Sequence, residues 1–475
     1  MAGRYQRRML NDLFRRDQAF WEILAARGIP AGTLNLPLTY PPSKAASFSV
    51  ADMFTPSPRA DYTHPQALKG ELEALGYRID LRKRDYYLRG VEAYITDLIA
   101  MTRARGKATR LCLERFPWAA AIAVFVGPDR LQHPFWSLLR LNEPPQPETG
   151  RAIGFFRALD EEIGRIVAQV GPNTHIYLVS DHGFGSHDRA FYINDWLEAQ
   201  GYLVLKREPA LAGRSRTVAQ GVLRRLEALL AVEGKPFGRR LEGLTQGLTQ
   251  GLVQGLVQGL VQGLVQVLRE RGGGLEALRP RLRERLEQLR AELGESLTPG
   301  APAVDWGRTV AFADTPHGVQ INLAGREPRG CVSPDAYASI RTELAAGLAG
   351  VVDPRTGAPV HAEVIPREQR YWGVRTALAP DLVYRFADGG SSWRIGRIAE
   401  LTYGRRLGSS FLVTDTDWET GTHRPEGILI AAGPELKAGR EVGTHHLWDL
   451  VPTLLYHLDQ QIPPDLEGLV MRELF

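Results

Sequence analysis

At 475 residues the chain is long enough for one large α/β domain with insertions, or for two or three domains. Its 44% hydrophobic and 24% charged residues are ordinary for a globular protein, and a formal charge of +4 over this length gives no case for nucleic acid as a partner. The basic N-terminus lacks the apolar core of a secretory signal, and no run approaches the roughly 18 apolar residues that span a bilayer, which predicts a cytoplasmic protein without a membrane partner.

Residues 1–204 alternate short apolar runs with polar helical stretches, the rhythm of a sheet covered by helices. Ala119 to Val126 (AAAIAVFV) ends at Gly127-Pro128, and His175 to Val179 (HIYLV) ends at Ser180-Asp181. Both are too short for helices and read as buried strands. Between them, Ile153, Phe156, Leu159, Ile163, Ile166 and Val167 recur at helical spacing over Gly150 to Val170. Cys112 and Cys331 read as two free thiols of a reducing compartment.

Residues 205–300 change character. Gly243 to Gln266 is six copies of Gly-Leu-(Thr/Val)-Gln. On a 3.6-residue helix such a unit advances about 40° per copy, so its leucines form a slowly winding stripe. A glycine in every copy costs roughly 1 kcal/mol relative to alanine, and the flanking LRRLEALL and LRERLEQLRAEL segments are better helix formers. The block reads as a helical insertion, by tandem duplication of a short unit at a tolerant site, with a partner-binding arm as the alternative. From 301 to 475 the strand–helix texture returns. Val319–Leu323, Val360–Ile365, Leu382–Phe386 and Gly427–Ala432 are expected strands, and Pro334–Leu348 and His446–Leu458 expected helices.

Three short constellations place carboxylates and imidazoles where strands end. Asp129 and His133, four apart, share one face of a helical turn and can reach one cation. In Ser180-Asp181-His182-Gly183-Phe184-Gly185, a turn leaving a strand lets Asp181 and His182 both project from the sheet's carboxyl edge, with Gly183 and Gly185 expected to let the backbone bend. His423, in Gly421-Thr422-His423, precedes the apolar run GILIAAG. Each pattern alone is common: a lone D-x-x-x-H is usually a surface pair, and a histidine near a turn is usually just exposed. Together they supply five N/O ligands and no thiolate, enough for most of two metal sites with hard or borderline ligands.

SDHGFG, with D-x-x-x-H ahead of it and G-T-H near the end, resembles the alkaline phosphatase superfamily. The likeness is strongest to its type I phosphodiesterase/nucleotide pyrophosphatase-like branch and the phosphohydrolase/phosphomutase group within it. NLPLTYPP (35–42), FTPS (54–57), INDW (193–196), INLAGREPRG (321–330) and DLVPTLL (449–455) extend the resemblance. It implies an α/β fold with a mixed, mostly parallel sheet flanked by helices, interrupted by the helical insertion. It implies two divalent ions, Zn²⁺ favoured and Mn²⁺ the alternative. Asp129, His133 and His423 match the ligands of one ion, and Asp181 and His182 match two ligands of the other. The implied activity is hydrolysis of a small phosphate mono- or diester. A phosphomutase is the alternative within the superfamily, whereas Cys331-Val-Ser-Pro-Asp lacks the spacing and arginine of a sulfatase nucleophile. Arg326 and Glu327 read as a glycine-flanked structural turn, with substrate contact as the alternative.

The resemblance also implies a first strand ending in Asp-Gly, whose Asp ligates the second ion, and a later loop bearing a Thr or Ser nucleophile. The sequence shows neither; Thr39 and Thr55 match other positions. Two expectations follow: an active enzyme whose first roughly 70 residues lie outside this reading frame, or a shortened, non-catalytic metal-binding relative that serves as a scaffold.

Overall fold

The computed structural model of the chain describes residues 12, 15, 18–81, 90–140, 146–187, 190–205, 304–315, 318–354, 356–387, 392–394, 412–413 and 420–475. The Gly-Leu-(Thr/Val)-Gln repeat, and the insertion from 206 onward, lie outside the described residues. The chain divides into two compact units, one of Gln6–Asp188 with Thr416–Phe475 and one spanning residues 189–415.

The first unit opens with helix α1 (Phe20–Ala25), whose Phe20, Trp21, Ile23 and Leu24 are all buried. Glu22 caps its start by accepting the Ala19 amide and is held by Arg15. Strands β1 (Ala31–Leu34), β2 (Phe48–Val50) and β3 (Thr63–His64) follow, then α2 (Leu68–Ala74), the long α3 (Val91–Arg115) and β4 (Ala120–Ala123). The sheet order is β3-β2-β1-β4, with β2, β1 and β4 parallel and β3 antiparallel at the edge. Residues 35–47 carry the chain from β1 to the parallel β2 without a helix, and α2 and α3 lie between β3 and β4. Helix α4 (Gly127–Phe135) leaves β4 directly, and α5 (Thr149–Val170) packs along α3 before β5 (Ile176–Val179) and β6 (Gly183–Ser186).

The second unit begins with β7 (Ala190–Tyr192) and α6 (Ile193–Ala199), then β8 (Ala311–Thr315), β9 (Gly318–Ile321), α7 (Pro334–Ala349), β10 (His361–Pro366) and β11 (Leu382–Phe386), with short β12 (Ser392–Arg394) and β13 (Leu412–Val413). Its four-stranded sheet, β10-β11-β9-β8, is antiparallel throughout. Trp196, Leu197, Phe312, Ile321, Leu344 and Tyr384 belong to its core. The chain then returns to the first unit as β14 (Gly421–Arg424), β15 (Leu429–Ala432) and α8 (Leu450–His457). β14 pairs antiparallel with β6, and β15 antiparallel with β5. With the parallel core and its covering helices, this is the α/β fold expected from the sequence.

Two expectations need correction. The runs read as buried strands do form β4 and β5, but neither strand is fully buried: Ala121 is exposed and the rest are half-buried. Among the described residues β4 pairs only with β1, and β5 only with β15, so each lacks the second neighbour that would shield it. Gly183 and Gly185 do not bend a turn. Both lie inside β6, and neither has a positive φ.

The GREPRG turn is structural. Arg326 forks onto Asp381, with Nη1 and Nη2 each donating at 2.6 Å to its two carboxylate oxygens. Asp381 is fully buried and also accepts from the Ile321 amide at 2.7 Å and the Tyr337 hydroxyl at 2.6 Å. Burial pushes this carboxyl up, but Arg326 and Tyr337 more than offset it and hold it below the usual range. Ionised Asp381 therefore stabilises the fold above the normal carboxylate pKa, and that contribution is lost as pH falls through its depressed folded value. Asp381→Asn is expected to cost about 3 kcal/mol, because it leaves buried donors unmatched. Urea unfolding should show this at neutral pH, with the gap to wild type narrowing at acid pH.

Candidate metal centre

Helix α4 is built to present two ligands. Pro128 sits in its first turn, where a missing amide hydrogen costs nothing. Leu131 and Phe135 are buried against Leu98, Val126 and Phe155, stabilising by about 1.5–3 kcal/mol each. That fixes the rotation of the helix and leaves Asp129 and His133, one turn apart, on the partly open side. Their Oδ1 and Nε2 are 3.3 Å apart.

The third ligand, His423, arrives from β14, 294 residues after Asp129. β14 lies so close to α4 that a Cβ on Gly421 would sit 2.3 Å from the Gln132 carbonyl oxygen and 2.6 Å from Trp136 Cβ. Thr420 pins the strand: its hydroxyl donates to the Pro134 carbonyl and accepts from the Ser137 amide, both at 3.1 Å. Across β6 the same economy recurs, since a Cβ on Gly183 would strike the Glu426 carbonyl and one on Gly185 the Arg424 guanidinium. The three glycines thus serve close approach. With β14 seated, His423 Nε2 lies 3.1 Å from Asp129 Oδ1 and 3.0 Å from His133 Nε2.

His182 follows β5 and stacks on His423, with ring centroids 3.6 Å apart and planes at 18°. Its Nε2 is 4.0 Å from Asp129 Oδ1 and 3.5 Å from Asp181 Oδ1. Asp129, His182 and His423 each offer a ligand atom within 4.8 Å of the others. Asp181 stands at the margin with its side chain 69% exposed. Phe184 forms an aromatic wall, its ring 4.9, 5.2 and 5.8 Å from His133, His423 and His182. The structure thus gathers Asp129, His133, His182 and His423, and leaves Asp181 adjoining them through His182 only.

Hydrogen bonds aim the imidazoles. His133 Nδ1 is 3.3 Å from the Gly421 carbonyl and His182 Nδ1 is 3.0 Å from the Gly183 carbonyl. A carbonyl only accepts, so each Nδ1 carries the proton and donates, and each Nε2 keeps its lone pair facing inward. Three lone-pair carriers at 3.0–3.3 Å repel one another unless a cation or proton lies between them. Donors about 2.0–2.2 Å from a tetrahedral ion are about 3.3 Å apart, so the spacing of Asp129, His133 and His423 fits a divalent ion.

Arg130, Asp80 and Arg105 had no signal in the sequence. Arg130 Nη1 donates to the outer oxygen of Asp129, leaving Oδ1 to the imidazoles. Its Nε and Nη2 reach Asp80 at 3.0 and 2.7 Å. Asp80 is placed in turn by the buried Arg105 of α3, which donates to the preceding Ile79 carbonyl at 2.7 Å. Burial pushes the Asp129 carboxyl up, but protonated His133 and His423, donating to it where no cation lies between them, and the Arg130 charge outweigh that and hold it well below the usual carboxylate range. The Asp129 carboxylate therefore stays ionised, as ligation requires.

Residues 3–235 match the family "Type I phosphodiesterase / nucleotide pyrophosphatase". That span includes Asp129, His133, Asp181 and His182, while His423 lies beyond it. Comparison of the sequence with curated proteins gives no match. Among solved structures, phosphonoacetate hydrolase from Sinorhizobium meliloti, determined in complex with phosphonoacetate, is similar with a TM-score of 0.42 and 11% identity. The similarity covers 90% of this chain and 72% of that one.

Gly421→Ala should separate β14 from α4. The overpacking is expected to cost about 1–3 kcal/mol, and where β14 takes up the strain, Zn²⁺ affinity falls by about tenfold or more. A competition titration measures this; unchanged affinity would show that α4 yields instead.

Proposed function

On the premise that residues 3–235 place the chain in the type I phosphodiesterase/nucleotide pyrophosphatase family, a phosphoryl-hydrolase family of the alkaline phosphatase superfamily, we propose that it hydrolyses a small phosphate mono- or diester in a metal-dependent reaction. The observation that carries this reading is the convergence of Asp129 Oδ1, His133 Nε2 and His423 Nε2 within 3.3 Å of one another beyond the carboxyl ends of β4 and β5, where ligand sites of open α/β sheets form. Asp129, His133 and His423 would hold one divalent ion. His182 and Asp181 would contribute to a second, Zn²⁺ being favoured by the imidazole–carboxylate donor set and Mn²⁺ admitted by it.

Bound there, divalent cations would supply Lewis-acid neutralisation of phosphoryl oxygen charge. The chain's own residues prepare that chemistry. Arg130 holds Asp129 in one orientation and does not itself face the imidazoles. The Gly421 and Gly183 carbonyls keep His133 and His182 in the tautomer that presents Nε2. Phe184 limits water on one side of the imidazoles, which strengthens electrostatic interactions at the site. Among the described residues Asp181 is the most exposed of the five and is free to swing toward an incoming ligand.

Asp129→Asn and His423→Ala are each expected to lower kcat/KM on aryl phosphate mono- or diesters by on the order of 100-fold or more, the loss of several kcal/mol of charge stabilisation. Wild-type protein loaded with Zn²⁺ or Mn²⁺ and showing no turnover on either ester class, while the ligand variants lose metal, would support the metal-binding scaffold over the hydrolase.

A further inference from the structure

A second cluster of potential ligands lies at the opposite end of β5 from Asp181 and His182. His175 immediately precedes that strand, Glu435 follows β15, and His457 is the last residue of α8. One ligand atom from each lies within 4.8 Å of the other two. The two imidazole rings are 3.6 Å apart between centroids, at 46°. The approach is built in: a Cβ on Gly433 would sit 2.5 Å from His175 Cδ2, so only glycine lets the chain after β15 cross here.

Two features mark this as more than packing. His175 Nε2 and His457 Nε2 are both buried without a hydrogen-bond partner, although the His457 side chain is only 8% exposed. A buried imidazole nitrogen without a partner is costly, and here two lie side by side. Moreover, the other nitrogen of His457 is already engaged: Nδ1 is 2.7 Å from the Tyr177 hydroxyl oxygen. In the tautomer in which Nδ1–H donates to that oxygen, the Nε2 lone pair is directed at His175 and Glu435. The Glu435 carboxylate is 3.8 Å from that Nε2 and 76% exposed, on the solvent side. Phe475 closes the site, its ring 4.9 Å from His457.

We propose that His175, His457 and Glu435 form a second, separate site for a Zn²⁺-class transition-metal ion, held by two imidazoles and one carboxylate with a remaining position open to water. One cation satisfies both orphaned nitrogens at once. Two imidazoles with a carboxylate suit Zn²⁺, Co²⁺, Ni²⁺ or Cu²⁺ and disfavour Mg²⁺ and Ca²⁺, which take oxygen ligands. The ion ties the start of β5 to the turn after β15 and the end of α8, so the site braces the returning C-terminal segment and takes no part in ester hydrolysis.

The test uses the full chain carrying Asp129→Ala, His133→Ala, His182→Ala and His423→Ala, shown folded by circular dichroism, so that the first centre keeps no imidazole ligand. Titration with Co²⁺ is expected to give one equivalent with the visible absorption of a four- or five-coordinate ion, displaced by Zn²⁺ and not by Mg²⁺. Adding Glu435→Gln, a change at an exposed side chain that folding tolerates, should weaken binding by at least about tenfold, and Tyr177→Phe, which frees the His457 ring, by about 10–100-fold. Absence of Co²⁺ binding in this background, or binding that Glu435→Gln leaves unchanged, overturns the proposal. His175→Ala in the otherwise wild-type chain should lower the melting temperature in Zn²⁺ and leave it unchanged in chelator.

Discussion

The candidate centre depends on one steric allowance: β14 can lie against α4 only because residue 421 has no side chain. A methyl group there would collide with the Gln132 carbonyl and with Trp136. Everything else at the site presupposes that approach. It sets the 3.0 Å separation of the His423 and His133 nitrogens, and it makes the Gly421 carbonyl the acceptor that fixes the His133 tautomer. Gly183 and Gly185 extend the same allowance to the pairing of β14 with β6, which holds His423 over His182.

Electrostatics and packing share the work in layers. Apolar burial of Leu131 and Phe135 rotates α4 so that its two ligands face the same way. Arg130 then neutralises the outer oxygen of Asp129, and Asp80 neutralises Arg130. A lone buried carboxylate would be expensive, whereas a chain of alternating charges that ends on Arg105-held backbone is not. The result is a carboxylate whose orientation and ionisation are both set before any ion is bound, the sort of preorganisation that lowers the cost of binding.

Much of this was legible in the sequence, for identifiable reasons. Leu382–Phe386 forms a strand over the residues expected, because the apolar run is short and bounded by turn residues. The helix expected over Pro334–Leu348 ends one residue later, at Ala349, since Ser333 caps its start and Pro334 occupies its first turn. Asp129 and His133 share a face because a four-residue spacing on a helix dictates it. What the sequence concealed were long-range partners. No local pattern links Asp80 to Arg130, or Arg105 to Ile79, across tens of residues. The SDHGFG glycines were misjudged for the same reason, since the atoms they make room for belong to Arg424 and Glu426, far along the chain. Burial of β4 and β5 was likewise overstated, because apolar composition reports what a strand tolerates and not how many neighbours it has.

The ligands of the centre are unevenly distributed along the chain. His423 stands 294 residues after Asp129, behind the whole of the second unit. At about 5–20 residues per second, a ribosome takes roughly 15–60 s to travel between them. During that interval Asp129, His133 and His182 have been made, but the imidazole that closes the set has not. A nascent chain therefore has no complete cation trap until its second unit has been translated, and a product terminated before His423 never acquires one. Placing the last ligand so late means that a loaded centre certifies a chain read through its second unit and returned to its first.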